Sequence, residues 1–191
     1  MIMRAIWTRL ALGIATLALA LASGAANAWP CDFLTGGGFI INNGAKANFG
    51  VGGGCKHGMP TWGHLEYIDH GIGLNVHWTS ITAYLEESSD TYEGHPIGSR
   101  FICGTARTNL YGDVNFAVRA KDAGEPGVND EFDIQLTQNG SIVYTTNFNF
   151  APGHAHQLND GGGGGGNIQL HEPNPSTTGS FGGPCPARGG F

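Results

Sequence analysis

Val114-Asn115-Phe116-Ala117-Val118-Arg119 and Phe132-Asp133-Ile134-Gln135-Leu136-Thr137 carry their large apolar side chains at every second residue. A period of two puts those side chains on one face of an extended chain and the polar ones on the other, as in a half-buried strand. The same signal, bounded by Gly, Asn and Asp, recurs over residues 38–42, 47–51, 64–69, 74–84, 100–108, 142–149 and 167–171. Nine strands with turn residues between them predict an all-β fold, here an antiparallel β-sandwich of jelly-roll or immunoglobulin-like type. Asn139-Gly140, between two of these runs, predicts a two-residue hairpin. No helical period occurs past the first 28 residues, so no substantial helix is expected there.

Composition agrees. The 191 residues include 33 Gly, and only 13% are charged, while 40% are hydrophobic. High glycine and low charge exclude a coiled coil or helical bundle, and the apolar share still supports a core. With 9 Lys+Arg against 15 Asp+Glu, the chain lacks the basic surface that nucleic acid or an anionic membrane would attract.

The first 28 residues read as a secretory signal. Arg4 and Arg9 give the positive start, residues 10–21 are apolar, and Ala26-Asn27-Ala28 places small residues at a cleavage site. The apolar run is too short to span a bilayer, and no second run follows, so no membrane span is expected in residues 29–191. Removing Arg4 and Arg9 with the signal takes the formal charge from −6 to −8. The remainder is expected to be one exported domain, whether secreted, periplasmic or held at the cell surface. Gly161–Gly166 is expected to form a mobile surface loop. Four cysteines in an exported chain favour two disulfides over a thiolate metal site, since no C-x-x-C spacing occurs. Three pairings are open. Because domain termini tend to lie close together, Cys31–Cys185 with Cys55–Cys103 is the expected set.

Several segments resemble one family. The string Cys31-Asp32-Phe33-Leu34-Thr35-Gly36-Gly37-Gly38-Phe39-Ile40, the segment Gly63-His64-Leu65-Glu66-Tyr67-Ile68-Asp69-His70, and Val76-His77 with Thr79-Ser80-Ile81-Thr82 are three of them. The loop from Asp122 to Asp130, with Gly124-Glu125-Pro126-Gly127, and the closing Gly166-Asn167-Ile168-Gln169-Leu170-His171 are the others. In order and spacing, over about residues 31–175, they resemble bacterial post-COAP domains, which follow choice-of-anchor modules. The resemblance implies a secreted or surface-exposed β-module and carries no activity. With residues 1–28 read as a signal, a departure from the family's tandem arrangement with an anchor module is expected.

Candidate sites follow from register. If Asp69 pairs with Leu74 around a four-residue turn, Tyr67 faces Val76 and Leu65 faces Trp78, with the apolar residues on one face. Glu66 then lies opposite His77 and His64 opposite Thr79, so His64, Glu66 and His77 fall within cross-strand reach. Two imidazoles and a carboxylate suit zinc or another divalent metal, or an acid/base pair. An exposed polar face with a Glu–His contact is the other reading. Asp122, Glu125 and Asp130 offer oxygens to calcium, although Gly-Glu-Pro-Gly equally makes a tight turn. His154 and His156, beside polyglycine, are expected in a solvated loop. Trp62 is the aromatic candidate for stacking on a sugar, because the register sends Trp78 inward. No nucleophile elbow or phosphate-binding loop is present. These features suit a noncatalytic module that binds glycan, matrix or a surface protein. A His64/Glu66/His77 metal protein or metal-dependent enzyme, and a subunit assembling through β-edges, are the alternatives.

Overall fold

A computed structural model describes residues 31–55, 62–159, 165–177 and 179–189. The segment read above as a secretory signal, and most of the polyglycine run, lie outside these residues. The described residues form nine strands: β1 (Phe33–Asn42), β2 (Ala45–Gly54), β3 (Trp62–Asp69), β4 (Leu74–Tyr92), β5 (His95–Thr108), β6 (Gly112–Asp122), β7 (Glu131–Gln138), β8 (Ser141–Thr145) and β9 (Gly166–His171). The all-β, antiparallel fold is thus as the alternation predicts, and the four cysteines form two disulfides as their number predicts.

The strands do not divide into two separate sheets. They form one nine-stranded sheet in the order β8-β7-β6-β5-β4-β3-β2-β1-β9. Consecutive strands from β1 to β8 lie side by side, which leaves no crossover of the Greek-key kind among them. Asn43-Gly44, Glu93-Gly94 and Asn139-Gly140 each have positive φ at both residues, the conformation that lets a two-residue turn follow the strand twist. Only β9, after a long excursion, docks out of order beside β1.

The sheet curls until its halves face each other. Phe49 of β2 stacks on Phe132 of β7 with ring centroids 3.9 Å apart, and Tyr67 of β3 lies 6.0 Å from the same ring. Leu34, Ile40, Val51, Leu65, Ile102, Phe116, Val118 and Ile134 fill the space between. A polar contact crosses this core: Tyr144 on edge strand β8 donates to Asp69 and lies 2.6 Å from the Tyr67 hydroxyl, while Asn42 donates to both Asp69 and Tyr144. Burial pushes the pKa of both tyrosines up, so the hydroxyls keep their protons.

A second, smaller core lies on the opposite face of β5 and β6. There the C-terminal segment and the turn Phe148–Phe150 cover Phe101, Cys103 and Ala117. Gln135 holds the tail by donating to the Ala187 carbonyl at 2.7 Å. The central strands are therefore covered on both faces, whereas the outward residues of β9, β1, β2 and β3 are exposed or half-buried apart from Gly52 and Gly54, which are buried beneath neighbouring side chains.

The disulfides are Cys31–Cys55 and Cys103–Cys185, which corrects the expected pairing of Cys31 with Cys185 and Cys55 with Cys103. The β1–β2 hairpin pairs Phe33 with Gly54 and so brings Cys31 beside Cys55, with Cα atoms 5.6 Å apart. Cys103 lies on the other face of the sheet with Phe101, where only the returning tail can reach it. Closeness of the chain ends was the wrong guide, because sheet register and strand face decide the partners. Two disulfides fit an oxidising, extracytoplasmic environment. No helix among the described residues is long and apolar enough to cross a membrane.

Candidate recognition face on strands β9, β1, β2 and β3

The predicted register between β3 and β4 holds: Asp69 pairs with Leu74, Tyr67 with Val76 and Glu66 with His77. Pairing ends there. His64 does not meet Thr79, whose hydroxyl lies 2.7 Å from that of Thr105 on β5. An irregularity between Trp78 and Ser80 in the β4–β5 pairing accompanies this divergence. Glu66 and His77 touch through Oε1 and Nδ1 on the exposed surface. The His64 ring turns the other way, over β2. Among the described residues, no three His, Cys, Asp or Glu side chains gather as a metal-ligand set. The expected His64/Glu66/His77 cluster thus resolves into a surface pair and a separate imidazole.

The Asp122–Asp130 loop has a different task. Asp122 accepts from the N–H groups of Gly124 and Leu170, and Asp130 from those of Ala123 and Ile168. All four carboxylate oxygens thereby hold backbone donors, two of them on the outer edge of β9. Glu125 accepts from the Asn167 side chain. These carboxylates cap a strand edge that would otherwise leave N–H groups unpaired, rather than converging on a calcium ion. His156, expected in solvent, lies 2.8 Å from the buried Asp133 through Nδ1.

Trp62 forms part of a row that crosses four strands. It is opposite Gly54, which is opposite Phe33, which is opposite His171. Phe33 and His171 stack at 4.4 Å with nearly parallel planes, and Trp62 meets Phe33 at 6.3 Å and a right angle. The Trp62–Phe33 separation falls in the favourable range for aromatic pairs, and the Phe33–His171 stack lies at its near edge. Thr35 lies 2.8 Å from Nε2 of His171, and partial burial pushes that imidazole's pKa down.

The glycines of β2 make this row possible. Gly50, Gly52 and Gly54 all point outward. A methyl group on Gly54 would fall 2.3 Å from the Phe33 Cβ, and one on Gly52 would fall 2.9 Å from His64 Cε1 and 3.7 Å from Trp62 Cη2. Trp62 and His64 therefore fold over Gly52. Gly50 has nothing within 4 Å of its missing Cβ and ordinary φ, so neither packing nor backbone demands glycine there. Its partner Gly37 is exposed and nearly as open. Together they form a bare floor between Thr35 and Glu66. Chemically, the face offers an aromatic edge, imidazole and hydroxyl groups, and room for a flat polar ligand.

Sequence reasoning found Trp62, His64, Glu66 and His77 but missed Phe33, His171 and the glycine floor. The spacing of Gly50, Gly52 and Gly54 at every second residue was the available signal. Comparison with models of known protein families, with curated proteins and with solved structures gives no match.

Proposed function

We propose that this chain is an exported, noncatalytic recognition module of the post-COAP type that binds glycan, on a surface or in an extracellular matrix, through the outer face of β9, β1, β2 and β3. The observation that carries this reading is Trp62 lying over Gly52 beside the open floor of Gly37 and Gly50. Sugars present flat apolar faces edged with hydroxyls, and such ligands suit an aromatic ring flanked by hydrogen-bonding groups. Among the described residues no segment covers this half of the sheet as the C-terminal segment covers the other. The capped edge of β9 weighs against assembly by strand addition there.

A glycan array probed with the purified protein, followed by titration of the best ligand, tests this. Trp62→Ala is expected to weaken binding at least tenfold while the melting temperature stays within a few degrees. Binding that is unchanged in Trp62→Ala, or no glycan bound by the wild type, would overturn the reading.

A further inference from the structure

Strands β4 and β5 run on past their neighbours as an exposed ribbon ending at Glu93-Gly94. At its tip Tyr92 lies against Gly124 of the Asp122–Asp130 loop. Between the ribbon and the end of β9 is a cavity of roughly 810 Å³. A second of about 340 Å³ adjoins it, and the two share Pro96, Ile97, Leu170 and Glu172. They make one groove that continues past the end of β9.

The groove is apolar at its base and negative at its rim. Ile97, Leu170 and Phe181 contribute the apolar surface, and Phe181 is fixed by stacking on Tyr84 at 5.5 Å. Glu86, Asp90 and Glu172 stand exposed around the larger cavity, and Glu93 and Glu125 line the smaller one. Arg100, the one Lys or Arg lining either cavity, is 1% exposed. Its guanidinium is taken up by Asp32, the Ser88 and Ser99 carbonyls and the Ser89 hydroxyl. It also lies 3.7 Å from Glu86 Oε2, so its single charge is shared between Asp32 and Glu86, and the carboxylates of the rim outnumber it.

We infer that this groove docks an extended polypeptide segment that carries lysine or arginine side chains on either side of apolar ones. Charge complementarity selects the cations, and the apolar base selects residues between them, as in other surfaces where a central apolar contact is ringed by polar groups. The length spanning two joined cavities suits a chain better than a compact amine. This site adjoins the aromatic face at His171, which lines the smaller cavity, but it does not depend on glycan binding.

Fluorescence polarisation of a labelled six-residue peptide alternating lysine and leucine, at about 0.15 M salt where distant charges are screened, tests the inference. Saturable binding is expected. Glu86→Gln/Glu172→Gln should weaken it at least tenfold, whereas Glu87→Gln/Asp113→Asn, which removes the same charge elsewhere, should change it less than twofold. An all-lysine peptide and spermine should each bind at least fivefold more weakly. Absence of saturable binding, equal losses in the two double variants, or equal affinity for the all-lysine peptide would each overturn it. Circular dichroism and the melting curve of each variant show that the losses are not unfolding.

Discussion

Asp130 shows how one buried carboxylate can hold an edge strand. It is fully buried, and burial pushes its pKa up to about 6 despite the N–H groups of Ala123 and Ile168 that favour the ionised form. Asp122 and Glu125 nearby add to the rise. A folded-state pKa above the unfolded one means that the native state binds the proton more tightly. The contribution of Asp130 to stability is then fully present below the unfolded value and is lost as pH rises through about 6. The melting temperature of the wild type minus that of Asp130→Asn is therefore expected to grow as pH falls from 7.5 to 4.5. Taking the difference removes most of the effect of the other carboxylates, and a flat difference would contradict this account. Glu131 behaves oppositely: although burial alone would raise it, hydrogen bonds from Arg119 and Lys121 hold its pKa below the usual range.

Strand β2 separates glycines of two kinds. Gly52 is glycine because His64 and Trp62 occupy the space of a side chain, while Gly50 has no such neighbour. Gly50→Ala is expected to leave stability unchanged or raise it by about 0.5 kcal/mol, since it lowers only the entropy of the unfolded chain. The same change should weaken glycan binding by narrowing the floor. Gly52→Ala should destabilise by about 1 kcal/mol, within the usual range for crowding a packed site, and shift the Trp62 emission as its ring is displaced. Thermal unfolding and fluorescence of the two variants separate these outcomes. Strand period, turn chemistry and the β3–β4 register were all legible in the sequence, because they depend on neighbours a few residues apart. The end of that register at Glu66 and His77 was not, because strand divergence is set by packing across the whole sheet. His64 followed β2 for that reason.

Across the whole molecule, the disulfides divide the work by loop length. Cys31–Cys55 closes a separation of 24 residues within one hairpin, whereas Cys103–Cys185 closes 82 and pins the tail over the second core. Loop-closure entropy gives about 3.5 kcal/mol for the shorter and about 4.5 for the longer. Cys103→Ala/Cys185→Ala is thus expected to cost more stability in urea than Cys31→Ala/Cys55→Ala. It should also expose Phe101 and Phe150, detectable as faster hydrogen exchange in β5 and β6. A larger loss from the hairpin pair would show that the tail contributes less than its covering of the second core implies.

By itself the sequence determined nine strands, their alternating faces, their tight turns and an oxidised pair of disulfides, because alternation, turn geometry and cysteine count act locally. Only the tertiary structure decided that the strands remain one curled sheet and which cysteines meet. It also turned the acidic loop into a cap for β9 and drew Trp62, Phe33 and His171 into one row. Each of those outcomes depends on which distant segments share a face, and that is fixed by the closing of the core between the two halves of the sheet.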